Sequence, residues 1–259
     1  MKYNLDFITK EDLTKHIKET ILHYGDKLKS IDLQQFNKNI IDPIKLIFDK
    51  NVYDLSWEDI IKNELARQRD KSNKNEIGYF HQNIFKYIKN CEVPQVGFDI
   101  IYRGKIEIED IKATNLYVEM KNKHNTMNSS ASQKTYMKMQ NQLLQDKNCI
   151  CALVEVIAKH SQNIEWQISI DYNSVNNKRI RRISIDKFYE IITGDKNAFY
   201  KLCLILPEMI EEIMNDIDFI KQQKDSVFEE LVKIQQDKSI SFEMSLYLLG
   251  FYEYSGFVT

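Results

Sequence analysis

Three ionisable side chains stand at spacings that could do chemistry. In "YVEMK" (117–121) Glu119 and Lys121 lie two residues apart inside an apolar segment. In a strand, side chains i and i+2 share a face, which leaves Val118 and Met120 on the other. Asp99 interrupts a second apolar segment, "VGFDIIY" (96–102). Charges in such segments are costly to bury unless they have partners or work. If the two strands are neighbours, two carboxylates and an ammonium converge at one end of a sheet. Two hard oxygen ligands with room for water suit Mg²⁺, which takes one or two carboxylates together with phosphate oxygens. Such an ion neutralises a phosphate ester and helps to deprotonate water. An ammonium beside it stabilises a pentavalent transition state or orients that water. The chemistry this points to is phosphodiester hydrolysis. A plain surface ion pair between Glu119 and Lys121 is the structural alternative.

Positioning these groups requires a sheet, and the pattern supplies one in the middle of the chain. Residues 9 to 90 read as helical, with Thr9 as N-cap and Asp12 as its partner. The apolar positions Ile77, Phe80, Ile84, Phe85 and Ile88 follow helical spacing, and Glu76 is expected at the head of that helix, where an acid complements the dipole. Segments 96–102, 105–111 and 115–120 are short, β-branched and partly alternating, as in strands. A helix follows over 128–146, capped by Asn128 or Ser129. "CICALVEVIA" (149–158) is a central buried strand, and the helix before it implies a parallel crossover. "IEWQISI" (164–170) is expected beside it. Helices return over 186–193, through a long segment containing Pro207, and over 224–236. The fold class is α/β: a mixed sheet flanked by helices, with helical N- and C-terminal layers. We expect one domain over 1–259, with a helical part (1–90), an α/β catalytic core (91–185) and a helical C-terminal part (186–259).

Composition narrows the function class. The 259 residues are 43% hydrophobic and 29% charged, with 7 Gly and 3 Pro, so a substantial core and long helices are affordable. Cys91, Cys149, Cys151 and Cys203 have no metal-ligand spacing and read as reduced core thiols. No secretory signal or membrane-length apolar run is present, so a cytoplasmic protein is expected. The net charge of -2 hides segregation. From Lys112 to Lys147 lysines outnumber acids, and "KRIRR" (178–182) is basic, whereas 208–230 is strongly acidic. A one-sided basic face suits a polyanion.

The order Asp99, nineteen residues, then Glu119-Met120-Lys121 resembles the D…(D/E)-x-K signature of the PD-(D/E)XK nuclease superfamily. The blocks "IGYFHQNIF" (77–85), "VGFDI" (96–100) and "YVEMKNKHNTMNSSASQKTYMKMQ" (117–140) resemble type II restriction endonucleases that cut GGNCC sites. They cover less than a fifth of the chain, and the last is the most specific. The resemblance implies Asp99 and Glu119 as Mg²⁺-binding acids, the Met120 carbonyl as a further ligand, Lys121 as catalytic lysine and Glu76 as an auxiliary acid. Phe98 stands where the superfamily name has Pro. The resemblance also implies double-stranded DNA as substrate and a homodimer on a twofold site.

The stretch after the lysine would then lie beside DNA, with Lys123, His124, Asn125, Asn128, Ser129 and Ser130 as contacts to phosphates or base edges. Gln133, Lys134 and Lys138 would follow on the helix, and Arg179, Arg181 and Arg182 in the basic cluster. Turn and cap roles for Asn125, Asn128 and Ser129 are the bland alternative. Two other functions fit the same residues: a repair or recombination nuclease of the superfamily, and a non-catalytic DNA-binding protein with a structural ion-pair cluster.

Overall fold

The computed structural model describes residues 3–26, 29–124, 126–170, 172–216, 223–252 and 254. Asn125, residues 217–222 of the expected long helical segment and the end of the C-terminal aromatic stretch lie outside them. The first half of the chain forms α1 (Lys10–Asp26), α2 (Leu33–Phe36), α3 (Pro43–Val52), α4 (Trp57–Asn83), a 3₁₀ turn (Ile84–Tyr87), β1 (Cys91–Glu92), β2 (Ile100–Ile108) and β3 (Ile111–Lys123). Then come α5 (Ser129–Gln145), β4 (Cys149–Ile157), β5 (Asn163–Glu165), β6 (Ile168–Ile170), β7 (Asn173–Val175) and β8 (Ile180–Ser184). Helices α6 (Ile185–Thr193), α7 (Ala198–Asn215), α8 (Val227–Lys238) and α9 (Phe242–Gly250) complete the order. The expected Thr9 cap is present: Thr9 Oγ1 accepts the Asp12 N–H at 3.1 Å and donates to Asp12 Oδ2 at 2.8 Å.

Two compact units divide these elements: Met1–Ile21 with Glu76–Asp218, and Leu22–Asn75 with Phe219–Thr259. Neither coincides with the consecutive helical, α/β and helical parts read along the chain.

The first unit is built on a mixed sheet of order β1-β2-β3-β4-β8-β5 among the described residues. The pairs β1–β2, β2–β3 and β5–β8 are antiparallel; β3–β4 and β4–β8 are parallel. The crossover from β3 through α5 to β4 is therefore the expected parallel one. Period-2 alternation divides the sheet between two cores. Leu116, Val118, Ile150, Ala152, Val154 and Ile183 point to a face covered by Phe85, Phe188, Leu202 and neighbours. Cys149, Cys151, Leu153 and Ile180 point the other way, against Tyr136, Met139 and Leu143 of α5 and against Trp166.

Three expectations need correction. Residues 96–102 and 105–111 are not two strands: β2 runs unbroken from Ile100 to Ile108, with its register shifting between Arg103 and Ile106. Gly104 makes this irregularity possible, because a Cβ there would meet the Tyr102 ring. Segment 164–170 does not pair with β4. It splits between an edge strand, β5, and a separate two-stranded ribbon, β6–β7, while β8 takes the place beside β4. The strand β8 lies in the "KRIRR" segment, where arginines obscured the alternation. Finally, Cys203 is exposed and Cys91 half-buried, so only Cys149 and Cys151 are core thiols.

The second unit packs Phe36, Leu46, Ile60, Ile61, Leu65, Val227, Leu231, Phe242 and Leu246 into its own core. Asp32, Asp42 and Ser241 cap α2, α3 and α9 through their side chains. Arg69 grips Asp225 through two bonds of 2.8 and 2.6 Å, and Asp225 also accepts the Ile31 N–H at 2.9 Å. No described helix is long and apolar enough to cross a membrane.

Leu116 is fully buried in the strand that carries the acid and the lysine, whereas Leu144 on α5 is 80% exposed. Leu116→Ala is expected to lower unfolding stability by about 3 kcal/mol, and Leu144→Ala by less than about 0.5 kcal/mol. Urea titrations of the two variants check this; equal losses would contradict the assigned alternation of β3.

Candidate active site

Strand β3 places its charges as the alternation requires. Tyr117, which packs against the α5-side core, shares its face with Glu119 and Lys121, and Val118 and Met120 face the opposite core. Asp99 sits one residue before β2, where Ile100 pairs with Val118, so continuing the antiparallel register sets Asp99 opposite Glu119. Two hydrogen bonds fix it there. The Asp99 N–H donates to the Val118 carbonyl at 2.9 Å, and Asp99 Oδ2 accepts the Met120 N–H at 2.7 Å. Gln82, near the end of α4, donates to the Asp99 carbonyl at 3.3 Å.

This geometry also orients the Met120 carbonyl. The N–H and C=O of one strand residue point to the same edge, and the Met120 N–H points to the β2 edge. The Met120 carbonyl therefore points to the β2 edge, the side on which Asp99 lies. Two carboxylates and a peptide oxygen form an all-oxygen donor set that fits a hard divalent ion such as Mg²⁺. Glu76 does not extend it. It lies well inside α4 rather than at a helix head, so the dipole argument fails, and no group of three or more His, Cys, Asp or Glu gathers as a metal cage among the described residues.

The remaining candidates separate. Asn128 caps α5 by accepting the Ala131 N–H at 2.8 Å, while Ser129 and Ser130 open that helix and are exposed. Lys123 and Lys134 are exposed, and Gln133 donates to the Ser169 carbonyl at 2.8 Å. Lys138 turns toward Glu119 instead of outward and pairs with it. Arg179 is tied to the Lys147 carbonyl at 2.8 Å. Arg181 is only 1% exposed, on the face opposite the acids, with its donors taken by Glu109 and Asn163. It offers nothing to a polyanion, so the expected DNA role of Arg181 is withdrawn.

Comparison with known proteins decides the family. The Eco47II restriction endonuclease family matches residues 5–215. The chain is also similar to the type II restriction enzyme Sau96I of Staphylococcus aureus, with 32% identity over 216 residues, 80% of each chain. A second relative is the type II restriction enzyme Eco47II of Escherichia coli, with 28% identity over 222 residues, 82% of this chain and 89% of that one. The chain belongs to the Eco47II restriction endonuclease family. It is a type II site-specific deoxyribonuclease, and DNA is its substrate class.

Within this endonuclease the α5 face holds a third acid that the sequence reading passed over. Glu155, beside Lys121 in the parallel β3–β4 register, is 2% exposed. Arg182 from β8 donates to it through Nε at 3.0 Å and through Nη2 at 2.5 Å. Arg182 Nη2 also lies 2.7 Å from His124 Nδ1. The same Nδ1 lies 3.2 Å from Glu155 Oε2, so the carboxylate, the guanidinium and the imidazole form one cluster. Lys121, Glu155, Arg182 and Trp166 line a cavity of about 60 Å³. The signal available in the sequence was an acid within the apolar run "CICALVEVIA" and an arginine two residues from another apolar position in a strand.

Burial alone would raise the Glu155 pKa, but the bonds from Arg182 and His124 outweigh it and hold the carboxyl below the ordinary 4.5. A depressed folded value contributes stability above the unfolded pKa and loses it as pH falls through the folded one. Glu155→Gln is therefore expected to cost about 2 kcal/mol at neutral pH, with the gap to the parent protein closing as pH drops below about 4.5. Thermal unfolding from pH 7 to 3 measures this. A gap independent of pH would rule out Glu155 as a stabilising carboxylate.

Proposed function

We propose that this restriction endonuclease is a Mg²⁺-dependent member of the PD-(D/E)XK superfamily that cuts both strands of a GGNCC site as a homodimer, leaving 5′-phosphates. The observation that carries this reading is the meeting of Asp99 and Glu119 across the β2–β3 register, with Lys121 on the face of Glu119. Asp99, Glu119 and the Met120 carbonyl would hold the ion, which when bound supplies Lewis acidity at the phosphate and a more acidic water. Asp99 is pre-set by the Met120 peptide, so its carboxyl needs little reorganisation. Lys121 brings an ammonium that can donate to a non-bridging phosphate oxygen as charge grows there, or hold the attacking water in line. Lys123 ends β3, and Ser129, Ser130 and Lys134 follow on α5; all four are exposed and would supply phosphate contacts. The twofold symmetry of the proposed site is what asks for two copies, each cutting one strand.

Asp99→Ala, Glu119→Ala and Lys121→Ala are each expected to reduce cleavage at least about a thousandfold while sequence-specific binding survives. Plasmid digestion with EDTA and Mg²⁺ arms, read beside gel shifts in Ca²⁺, separates the steps. Undiminished cutting by Lys121→Ala, or cutting in EDTA, would refute the assignment. Fragment ends from the same digests identify the site, and ends without GGNCC would remove that specificity. Lys134→Ala is expected to lower the salt-dependence slope of DNA binding by about one phosphate contact. An unchanged slope would take Lys134 out of the interface.

A further inference from the structure

One lysine of α5 is in an unexpected place. Lys134, one turn earlier, is exposed, but the Lys138 side chain runs to the acids and pairs with Glu119 Oε1. Its Nζ also donates to the Gly97 carbonyl at 2.7 Å and stands 4.3 Å from the centre of the Phe98 ring. The Glu119 side chain is 12% exposed, so this ammonium is the cation that its carboxylate meets. Phe98 has a part in this. A proline at that position would give the ammonium no aromatic face, whereas the Phe98 ring adds a cation–π contact to the carbonyl bond.

An ammonium has three donors and no lone pair. Placed on Glu119, it occupies an oxygen that a divalent ion needs and cannot itself be a ligand to that ion. We propose that Lys138 is a resident counter-ion of the metal position: it holds the Glu119 carboxylate oriented before the divalent ion arrives, and the ion must displace it to bind. This rests on the reading of Asp99 and Glu119 as metal-binding acids. Gly97 and Phe98 belong to the same chain segment as Asp99, so they give the displaced ammonium a berth beside the site. Lys138 is thus a positioning residue that sets metal affinity, and Lys121 alone retains the part assigned to it in the reaction.

Removing the ammonium removes both the competitor and one positive charge next to the incoming ion. The test is calorimetric titration of the whole protein, without DNA, using Ca²⁺ alone as probe. The parent, Lys138→Met, Lys138→Gln and Glu119→Gln are compared, with chemical unfolding of each measured in parallel. Both Lys138 variants are expected to bind Ca²⁺ roughly tenfold more tightly than the parent, and Glu119→Gln to lose binding. Unchanged or weaker Ca²⁺ binding in both Lys138 variants, with loss in Glu119→Gln, would overturn the counter-ion role and leave the metal-binding acids standing. A fall in stability without any gain in affinity would make Lys138 a structural partner only and would also overturn it. Absence of any Glu119-dependent binding in the parent and in the Lys138 variants would overturn the metal reading itself.

Discussion

The β2–β3 register is the constraint on which the site depends, and it is held by short-range backbone bonding. Asp99 precedes β2 by one residue, yet its N–H bonds to Val118 and its carboxylate takes the Met120 N–H, so the acid completes the ladder the strand has not yet begun. A slip of one residue would turn Glu119 and Lys121 into the opposite core and bring Val118 and Met120 to the polar face. That error is costly because both faces are committed: Leu116 and Val118 are fully buried on one side, and Cys149 and Cys151 on the other. The register of the acids is therefore specified by apolar packing on both sides of the sheet. The reactive geometry inherits its precision from residues that take no part in chemistry.

The same argument explains what was legible in the sequence. Alternation in "YVEMK" gives the face shared by Glu119 and Lys121, and the helix between two apolar strands gives the parallel crossover, because both patterns are local. The pairing of β8 with β4 was hidden, since Arg181 and Arg182 break the apolar run and each finds its partners far along the chain. Arg181 answers Glu109 and Asn163, and Arg182 answers Glu155. A basic cluster that reads as a solvent-facing polyanion patch is in fact a strand with one guanidinium on each face. Glu76 failed for a related reason. Nothing local in "KSNKNEIGYF" ends the helix before it, so α4 simply continues through. The division into two units was equally out of reach, since it joins segments from opposite ends of the chain.

Each acid on the α5 face is compensated by a different kind of donor. Asp99 has a peptide N–H, Glu119 has the Lys138 ammonium, and Glu155 has a guanidinium. Grading the partners in this way grades how easily each acid can be released. A peptide dipole leaves Asp99 with nearly its full negative charge, an ammonium on a flexible stem can swing away from Glu119, and the forked guanidinium holds Glu155 through two bonds. The two carboxylates assigned to the metal carry the releasable partners. The one that stays locked stands beside Lys121 in the β3–β4 register.

Electrostatic preorganisation of this kind has a stability cost that the fold must meet elsewhere. Keeping Asp99 beside Glu119 opposes folding, and burial of the acids does not offset it. The offset is the double-sided core of the sheet: Phe85 and Phe188 pack on one face, Tyr136 and Trp166 on the other. This arrangement confines the polar network to the carboxyl ends of β3, β4 and β8, where the strands run out and α5 begins. Leu116, fully buried in β3, thus serves the acids through the strand register that its packing helps to specify, though it is not one of them.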